Sequence, residues 1–233
     1  MFKKILIYLT LTLSLIGYIN FFEWYLSDDK IFVEDALELS LYASIPTYIM
    51  IILIHIFYYP ANRDDHANVI TFPPIIWLFS INTGFSIATL NMYYYQLYKI
   101  PRFLDFLRTS EIGLFFLVLA ILLIIPAIKK FNSQHEDPNP TSPSTLIIKN
   151  GIYKYSRNPM YLGLIFLQLS LGILLSMIHI MLMCIFTYII FKYYVIKPEE
   201  KYLSSKILGM TIITINPRSE GGYNILIYLI YDR

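Results

Sequence analysis

The chain has 233 residues, of which 57% are hydrophobic and 15% charged, with a mean hydropathy of +0.57. Soluble domains hold about 45–50% apolar and about 25% charged residues, so this chain carries more apolar surface than one globular core of its length can hide and reads as an integral membrane protein. Eighteen Lys and Arg against 16 Asp and Glu give a formal charge of +2, with no basic stripe of the kind that neutralises phosphates, which excludes nucleic-acid binding.

A membrane-crossing helix takes about 20 mostly apolar residues, and six segments meet this: 5–22, 38–59, 72–95, 111–128, 159–176 and 178–196. The first follows Lys3 and Lys4. It is longer than a usual signal-peptide core and runs into bulky Phe21, Phe22 and Trp24 rather than a small-residue cleavage site, so an uncleaved helix is expected. Pro46, Pro73, Pro74 and Pro126 fall in or beside the second to fourth segments, where kinked or terminal positions tolerate them. The fold class expected is all-α: a multi-pass membrane bundle of about six helices.

Orientation follows Lys and Arg in short loops. Lys3 and Lys4 put the amino terminus in the cytoplasm, and the first loop, residues 23–38, has six acids against Lys30, as an external loop should. Six spans return the other end inside, so the segment 129–158 (Lys129, Lys130, Lys149, Lys154, Arg157) and Lys197, Lys201 and Lys206 are expected at the cytoplasmic face. Residues 96–110, with Lys99, Arg102 and Arg108, oppose this register and are expected to form an interfacial amphipathic piece. The longest polar stretch, 132–155, is rich in Pro, Asn and Gly and predicts successive turns rather than a helix. Its apolar strip Leu146-Ile147-Ile148 predicts that it docks back on the bundle.

Cys184 is the one cysteine. It cannot form an intramolecular disulfide and lies in an apolar run without a cationic neighbour, so an inert thiol is expected. His55 and His179, inside apolar spans, are expected to hydrogen-bond neighbours. Asp64-Asp65-His66 reads as a solvated turn rather than a metal site, because three adjacent residues cannot all face one ion. His135-Glu136-Asp137 lies in the polar stretch and is read the same way; no metal is expected. Gly163 and Gly172, with Ser170 and Ser176, are expected to let helices approach closely.

From Asn150 to Gly163 the chain reads NGIYKYSRNPMYLG, followed by an apolar helical hairpin and then Glu199-Glu200. Gly151, Tyr153, Arg157, Asn158, Pro159, Tyr161 and Gly163 in this order, then the two glutamates, resemble the isoprenylcysteine carboxyl methyltransferase and phospholipid methyltransferase superfamily, in a bacterial member. The resemblance covers about residues 130–207. It implies S-adenosylmethionine as cofactor and an SN2 methyl transfer to a lipophilic acceptor: an isoprenylated thiol or carboxylate, or a phospholipid amine. It also implies a bacterial inner-membrane location with both termini and the cofactor pocket cytoplasmic, the pocket being built by the last hairpin and its flanking loops.

Such a cofactor carries a sulfonium, an ammonium and a carboxylate, so its site needs an acid, aromatic faces and free backbone donors. The tyrosines Tyr153, Tyr155 and Tyr161 supply faces. Pro159 is expected to open the fifth helix, where a proline costs little and leaves the amides of Met160 and its neighbours free. The resemblance assigns cofactor contacts to Tyr153, Asn158, Pro159, Met160, Tyr161, Glu199 and Glu200, and to a strip that falls on Thr145, Leu146, Ile147 and Ile148. A hairpin folding back on itself brings Arg157 and Glu200 together. Arg157 would orient the acceptor and Glu200 hold the cofactor; these are the candidate catalytic pair.

Two positions depart from the pattern. Asn158 stands where many relatives have His, and Val195 or Ile196 stands where the prenylcysteine enzymes carry an acceptor-binding Arg, which argues against a prenylcysteine carboxylate. The tail departs more. Instead of a Phe-Gly-x-x-Tyr-x-x-Tyr continuation and a basic end, residues 207–233 read ILGMTIITINPRSEGGYNILIYLIYDR. Read from the third base of each codon, codons permitted for 207–223 can encode FGNDYNNYKSKVRRWL and a stop, so a frameshift near codons 206–208 is expected. The domain organisation expected is 1–128 membrane helices, 129–207 cofactor-binding region and 208–233 atypical tail. Two other readings remain: a sterol-reductase-like membrane reductase using NADPH, opposed by the acidic Glu199-Glu200 pair, and an inactive membrane relative.

Overall fold

The computed structural model of the chain describes residues 1–27, 33–59, 66–95, 100–143, 148 and 150–214, with backbone alone at 33, 34, 108 and 206–214. Among these residues are seven α-helices and no strand. They are α1 (Phe2–Leu26), α2 (Val33–Tyr58), α3 (Pro73–Tyr95), α4 (Ser110–Ser133), α5 (Pro159–Leu174), α6 (Ile178–Phe191) and α7 (Lys197–Thr214). Short 3-10 helices occupy Arg102–Arg108 and Gly151–Lys154, and a π-helical turn, Lys192–Ile196, joins α6 to α7 without a break. The atypical tail beyond 214 lies outside the described residues.

Five helices are long and apolar enough to cross a membrane: α1, α2, α3, α4 and the continuous helix Ile178–Ser205. The fifth apolar segment differs from the six-span expectation. As α5 it has 16 residues, about 24 Å at 1.5 Å per residue, against a hydrocarbon thickness of about 30 Å. Pro159 opens it at the first helical position. Ser176, at φ +53°, closes it: Met177 N–H donates to Gly172 O at 2.8 Å and Ser176 N–H to Ile173 O at 2.9 Å, the paired bonds that end a helix on a left-handed residue. The turn into α6 is therefore tight, and the hairpin is antiparallel.

Across the bundle α1 packs on α2, α2 on α3, α3 on α6, α6 on α5 and α5 on α4. The spatial order is thus 1-2-3-6-5-4, with α6 inserted between α3 and α5. Lipid tails are as apolar as Leu, so small residues and interhelical hydrogen bonds, rather than hydrophobicity, select such neighbours. A Cβ on Gly84 would sit 2.8 Å from Ile180 Cα, so only glycine permits this α3–α6 approach. Beside it, Gln168 Nε2 donates to Ser80 Oγ (3.1 Å) and to Ile180 O (3.2 Å). Thr187 Oγ1 donates to Gln168 Oε1 at 2.8 Å and lies 2.7 Å from Ser80 Oγ. Ser80, Gln168 and Thr187 are fully buried, and they tie α3, α5 and α6 together. Gly163, read in the sequence as a close-approach residue, meets α4, where an added Cβ would lie 2.5 Å from the Ile124 side chain.

A second polar set joins the first three helices. Tyr18 donates to Asn82 Oδ1 (2.6 Å), Asn82 Nδ2 to Ser44 O (3.2 Å), and Ser14 meets Thr47 at 2.5 Å. Around these contacts the outward faces stay apolar: α4 exposes Leu114, Phe115, Val118, Ile121, Leu122 and Ile125, the side chains that lipid solvates. The two intraspan histidines have neighbours as partners, His55 Nδ1 with Thr71 Oγ1 at 2.9 Å and His179 Nε2 with Asn91 Nδ2 at 2.7 Å. The Cys184 thiol lies partly buried, 3.8 Å from Ile165 O.

The antiparallel order puts the start of α1, the end of α2, the starts of α3 and α5 and the ends of α4 and α6 at one end, where Lys3 Nζ lies 5.2 Å from the Phe57 ring centre. At the opposite end, the 3-10 helix Arg102–Arg108 presents Phe103 and Phe106 outward at 81% and 61% exposure. The polar stretch after α4 is turn upon turn, as its composition requires: Asn139 N–H donates to Asp137 Oδ1 (2.9 Å), Thr141 N–H to Asn139 Oδ1 (3.2 Å), and Ser142 Oγ to Asp137 Oδ2 (2.6 Å). It docks on the bundle where Ala67 N–H donates to Pro140 O at 3.2 Å.

Candidate functional site

The motif residues gather at the end of the bundle that holds Lys3. Gly151, at φ +68°, turns the chain into the 3-10 helix that carries Tyr153. The next turn presents Arg157 and Asn158 before Pro159 starts α5, and Tyr161 falls within the first turn of that helix. From the other side of the hairpin comes α7. Its route depends on the π-helical turn, whose wider winding offsets the helix face by one residue. Pro198 has no N–H to give the carbonyl four residues before it, and that carbonyl, Tyr194 O, accepts the Ile70 N–H at 3.1 Å instead. The segment between α2 and α3 thus holds the bulge in place.

With that offset Glu199 meets Tyr161, whose hydroxyl donates to Glu199 Oε2 at 2.8 Å. The Tyr161 ring is buried and lies 5.3 Å from Phe191, centre to centre. Beneath the pair is an apolar floor of Ala67, Val69, Ile76, Phe191 and Val195. Trp77 of α3 closes it by donating to Leu164 O at 2.7 Å. The Ile178–Ser205 helix is 28 residues long, about 42 Å, more than the hydrocarbon needs. Lys192, Lys197, Glu199, Glu200 and Lys201 crowd its second half, so that half stands outside the apolar layer.

Burial raises the Glu199 carboxyl from 4.5 to about 6; the Tyr161 hydroxyl bond pulls the other way and the neighbouring Glu200 charge adds to the rise. Tyr153 stacks edge-on against Phe131 at 5.7 Å. Its hydroxyl is buried without a hydrogen-bond partner among the described residues, and burial and then the Glu199 charge raise its pKa. A buried polar atom left unpaired costs free energy comparable to a lost hydrogen bond, so an orphan hydroxyl near a carboxylate is what a site awaiting a polar ligand would contain.

Arg157 Nη1 lies 3.9 Å from Glu200 Oε1, with the two side chains 74% and 53% exposed. The hairpin brings these residues together as folding back requires, in an ion pair worth little for stability in solvent. Asn158 precedes α5, is partly buried, and makes no side-chain cap bond; Pro159 is buried and Met160 partly so. Ile148 is partly buried, while Thr145, Leu146 and Ile147 lie outside the described residues. Tyr155 does not join the group: it is 83% exposed, because the 3-10 turn sends Tyr153 inward and its neighbour two residues on outward. Phe131, Phe191 and Trp77 complete the walls. Nothing in the motif points to them, since each reaches the site from a helix end remote in sequence.

A carboxylate with two tyrosine hydroxyls around it, aromatic walls and a nearby guanidinium suits capture of a cationic ligand and alignment of a reactant. Among the described residues no cluster of three His, Cys, Asp or Glu side chains could hold a metal ion. Residues 109–210, which contain this arrangement apart from Ala67, Val69, Ile76 and Trp77, match the family model described as phospholipid methyltransferase. No curated protein and no solved structure matches the chain.

Proposed function

From the match of residues 109–210 to the family model described as phospholipid methyltransferase, we propose that the protein is an integral-membrane methyltransferase that uses S-adenosylmethionine to methylate a lipophilic acceptor, a phospholipid amine or an isoprenylated thiol or carboxylate. The observation that carries the reading is the buried Tyr161–Glu199 hydrogen bond of 2.8 Å with the unpartnered Tyr153 hydroxyl beside it. These residues fit the cofactor. Glu199 and Glu200 would hold its ammonium, Tyr153 and Tyr161 would supply hydroxyls and ring faces, and the amides after Pro159 would receive its carboxylate. Ile148, Asn158 and Met160 would line the approach, as the resemblance implies for Thr145, Leu146 and Ile147.

When bound, the cofactor supplies an electrophilic methyl group on a sulfonium sulfur. Transfer needs little acid–base chemistry and much alignment, and positioning contributes up to about 7–11 kcal/mol. Arg157, on an exposed turn facing Glu200, is placed to steer the acceptor's polar end while an apolar tail stays in lipid. The short α5 supports this reading, because a 16-residue helix lets the bilayer thin beside the site. Lys3, Lys4, Lys129, Lys130, Lys154, Arg157, Lys192, Lys197 and Lys201 all lie at the site's end of the bundle, which the positive-inside rule puts in the cytoplasm, in a bacterial inner membrane. The acidic pair opposes a polyanionic nicotinamide cofactor.

The test is binding of labelled S-adenosylmethionine to the detergent-purified chain beside Glu199→Gln and Glu200→Ala. Saturable binding that Glu199→Gln abolishes and Glu200→Ala weakens is expected. Absence of binding by the chain and by a version carrying the alternate-frame tail would refute the reading.

A further inference from the structure

A cavity lies at the same end of the bundle, on the face of α7 turned away from Glu199. It measures about 510 Å³ and is lined by His66, Asn68, Tyr193, Lys197, Lys201 and Ser205, with Pro198 and Tyr202 behind them. Lys197, Lys201 and Ser205 follow at four-residue spacing and so form one stripe. Glu199, about 200° around the helix from Lys197, looks the other way.

The charge on this stripe is one-sided. Like charges at four-residue spacing repel, and no carboxylate lines the cavity among the described residues. Lys192 adds to the excess: its ammonium lies 5.5 Å and that of Lys197 4.3 Å from the Tyr193 ring centre, so one ring attracts two cations. The facing wall is fixed rather than loose. Ala67 and Val69 are buried and Asn68 is exposed between them, in a tight turn closed by Val69 N–H to Ala67 O at 2.9 Å. That segment is pinned by Ala67 N–H to Pro140 O and by Ile70 N–H to Tyr194 O.

We propose that this cavity binds a phosphate group, held by Lys197 and Lys201 with Asn68 and Ser205 as hydrogen-bonding neighbours, and that its source is the headgroup of an anionic phospholipid. A lipid source follows from the surroundings. Tyr193 and Tyr194 are about half exposed just where the chain leaves the apolar layer, which is the level of headgroups and of interfacial tyrosines. A basic hollow between helices at that depth is the arrangement that selects anionic lipids. This site is separate from the proposed cofactor pocket and does not depend on it.

The experiment uses the full chain in detergent, titrated with dihexanoyl-phosphatidylglycerol, dihexanoyl-phosphatidylcholine or inorganic phosphate. Bound lipid is counted by native mass spectrometry and the unfolding temperature is recorded. Phosphatidylglycerol should bind tighter than phosphatidylcholine, and Lys197→Gln/Lys201→Gln should weaken it about tenfold. Lys4→Gln/Lys129→Gln, an equal charge change on exposed residues at the same end, should leave it unchanged, as should Glu199→Gln. Displacement by inorganic phosphate at concentrations comparable to the lipid would support the phosphate site but move its source to a soluble phosphate. Equal retention in wild type and Lys197→Gln/Lys201→Gln, or equal loss in the two double variants, would overturn the proposal.

Discussion

Replacing Tyr161 by Phe isolates one bond. The ring stays, and with it the packing against Phe191 at 5.3 Å, while the hydroxyl that donates to Glu199 Oε2 at 2.8 Å is removed. Hydrogen bonds to charged groups contribute about 1.5–3 kcal/mol, and 1.36 kcal/mol corresponds to one pKa unit. The Glu199 carboxyl, held at about 6 with the hydroxyl present, should therefore move up by about one to two units. At pH 7 the charged fraction falls from about nine-tenths to between about one-half and one-tenth, and affinity for a cationic cofactor falls with it, about two- to tenfold. Calorimetric titration with S-adenosylmethionine from pH 5 to pH 9 reads both quantities. In the wild type, affinity should drop about tenfold between pH 7 and pH 5 as the carboxylate takes up its proton; in Tyr161→Phe the same drop should begin one to two units higher. Superimposable profiles would show that the bond does not govern the charge at Glu199. Stability should run in the opposite direction. A carboxyl whose folded pKa is raised binds its proton more tightly in the folded state, so protonation favours the fold: stability rises as pH falls through about 6 toward 4.5 and is lost on the way back up.

Three further outcomes are expected. Gln168→Leu should destabilise the bundle by about 1–2 kcal/mol in detergent unfolding, since it strips partners from Ser80, Thr187 and Ile180 O in a fully buried knot; an unchanged midpoint would mean that those groups re-pair locally. Gly84→Val should cost about 1–3 kcal/mol, because its Cβ would collide with backbone at Ile180, and cross-linking between α3 and α6 should report their separation. A chain in which the residues from 207 on are replaced by FGNDYNNYKSKVRRWL should bind the cofactor more tightly than the chain as it stands; equal or weaker binding by the restored version, with folding intact, would dispose of the frameshift reading.

The sequence by itself determined the solvent and the site's vocabulary. A mean hydropathy of +0.57 can only be housed in lipid, and apolar runs of spanning length must be helical there because no water is present to satisfy free backbone groups. Arg157, Asn158, Pro159 and Tyr161 are picked out as candidates by the resemblance of their motif to the methyltransferase superfamily, and Pro and Asn in 137–142 give turns. Hydropathy is silent on neighbours, however. A helix that is apolar all round does not say which face meets protein and which meets lipid, so the insertion of α6 between α3 and α5 was not legible. One missing Cβ at Gly84 and one amide at Gln168 decided it.

Tertiary structure also chose between neighbours that look alike in the sequence. Tyr153 is turned in and Tyr155 out by a single 3-10 turn. Glu199, and not Pro198, meets Tyr161 because the wider π-helical turn holds the face of α7 back by one residue, and the Tyr194 carbonyl, which Pro198 cannot serve, finds the amide of Ile70. Hydrogen bonds between segments over a hundred residues apart leave no periodic trace in either segment. For that reason the motif could be read from the chain, while the choice of which carboxylate and which tyrosine face each other was made only when the helices packed.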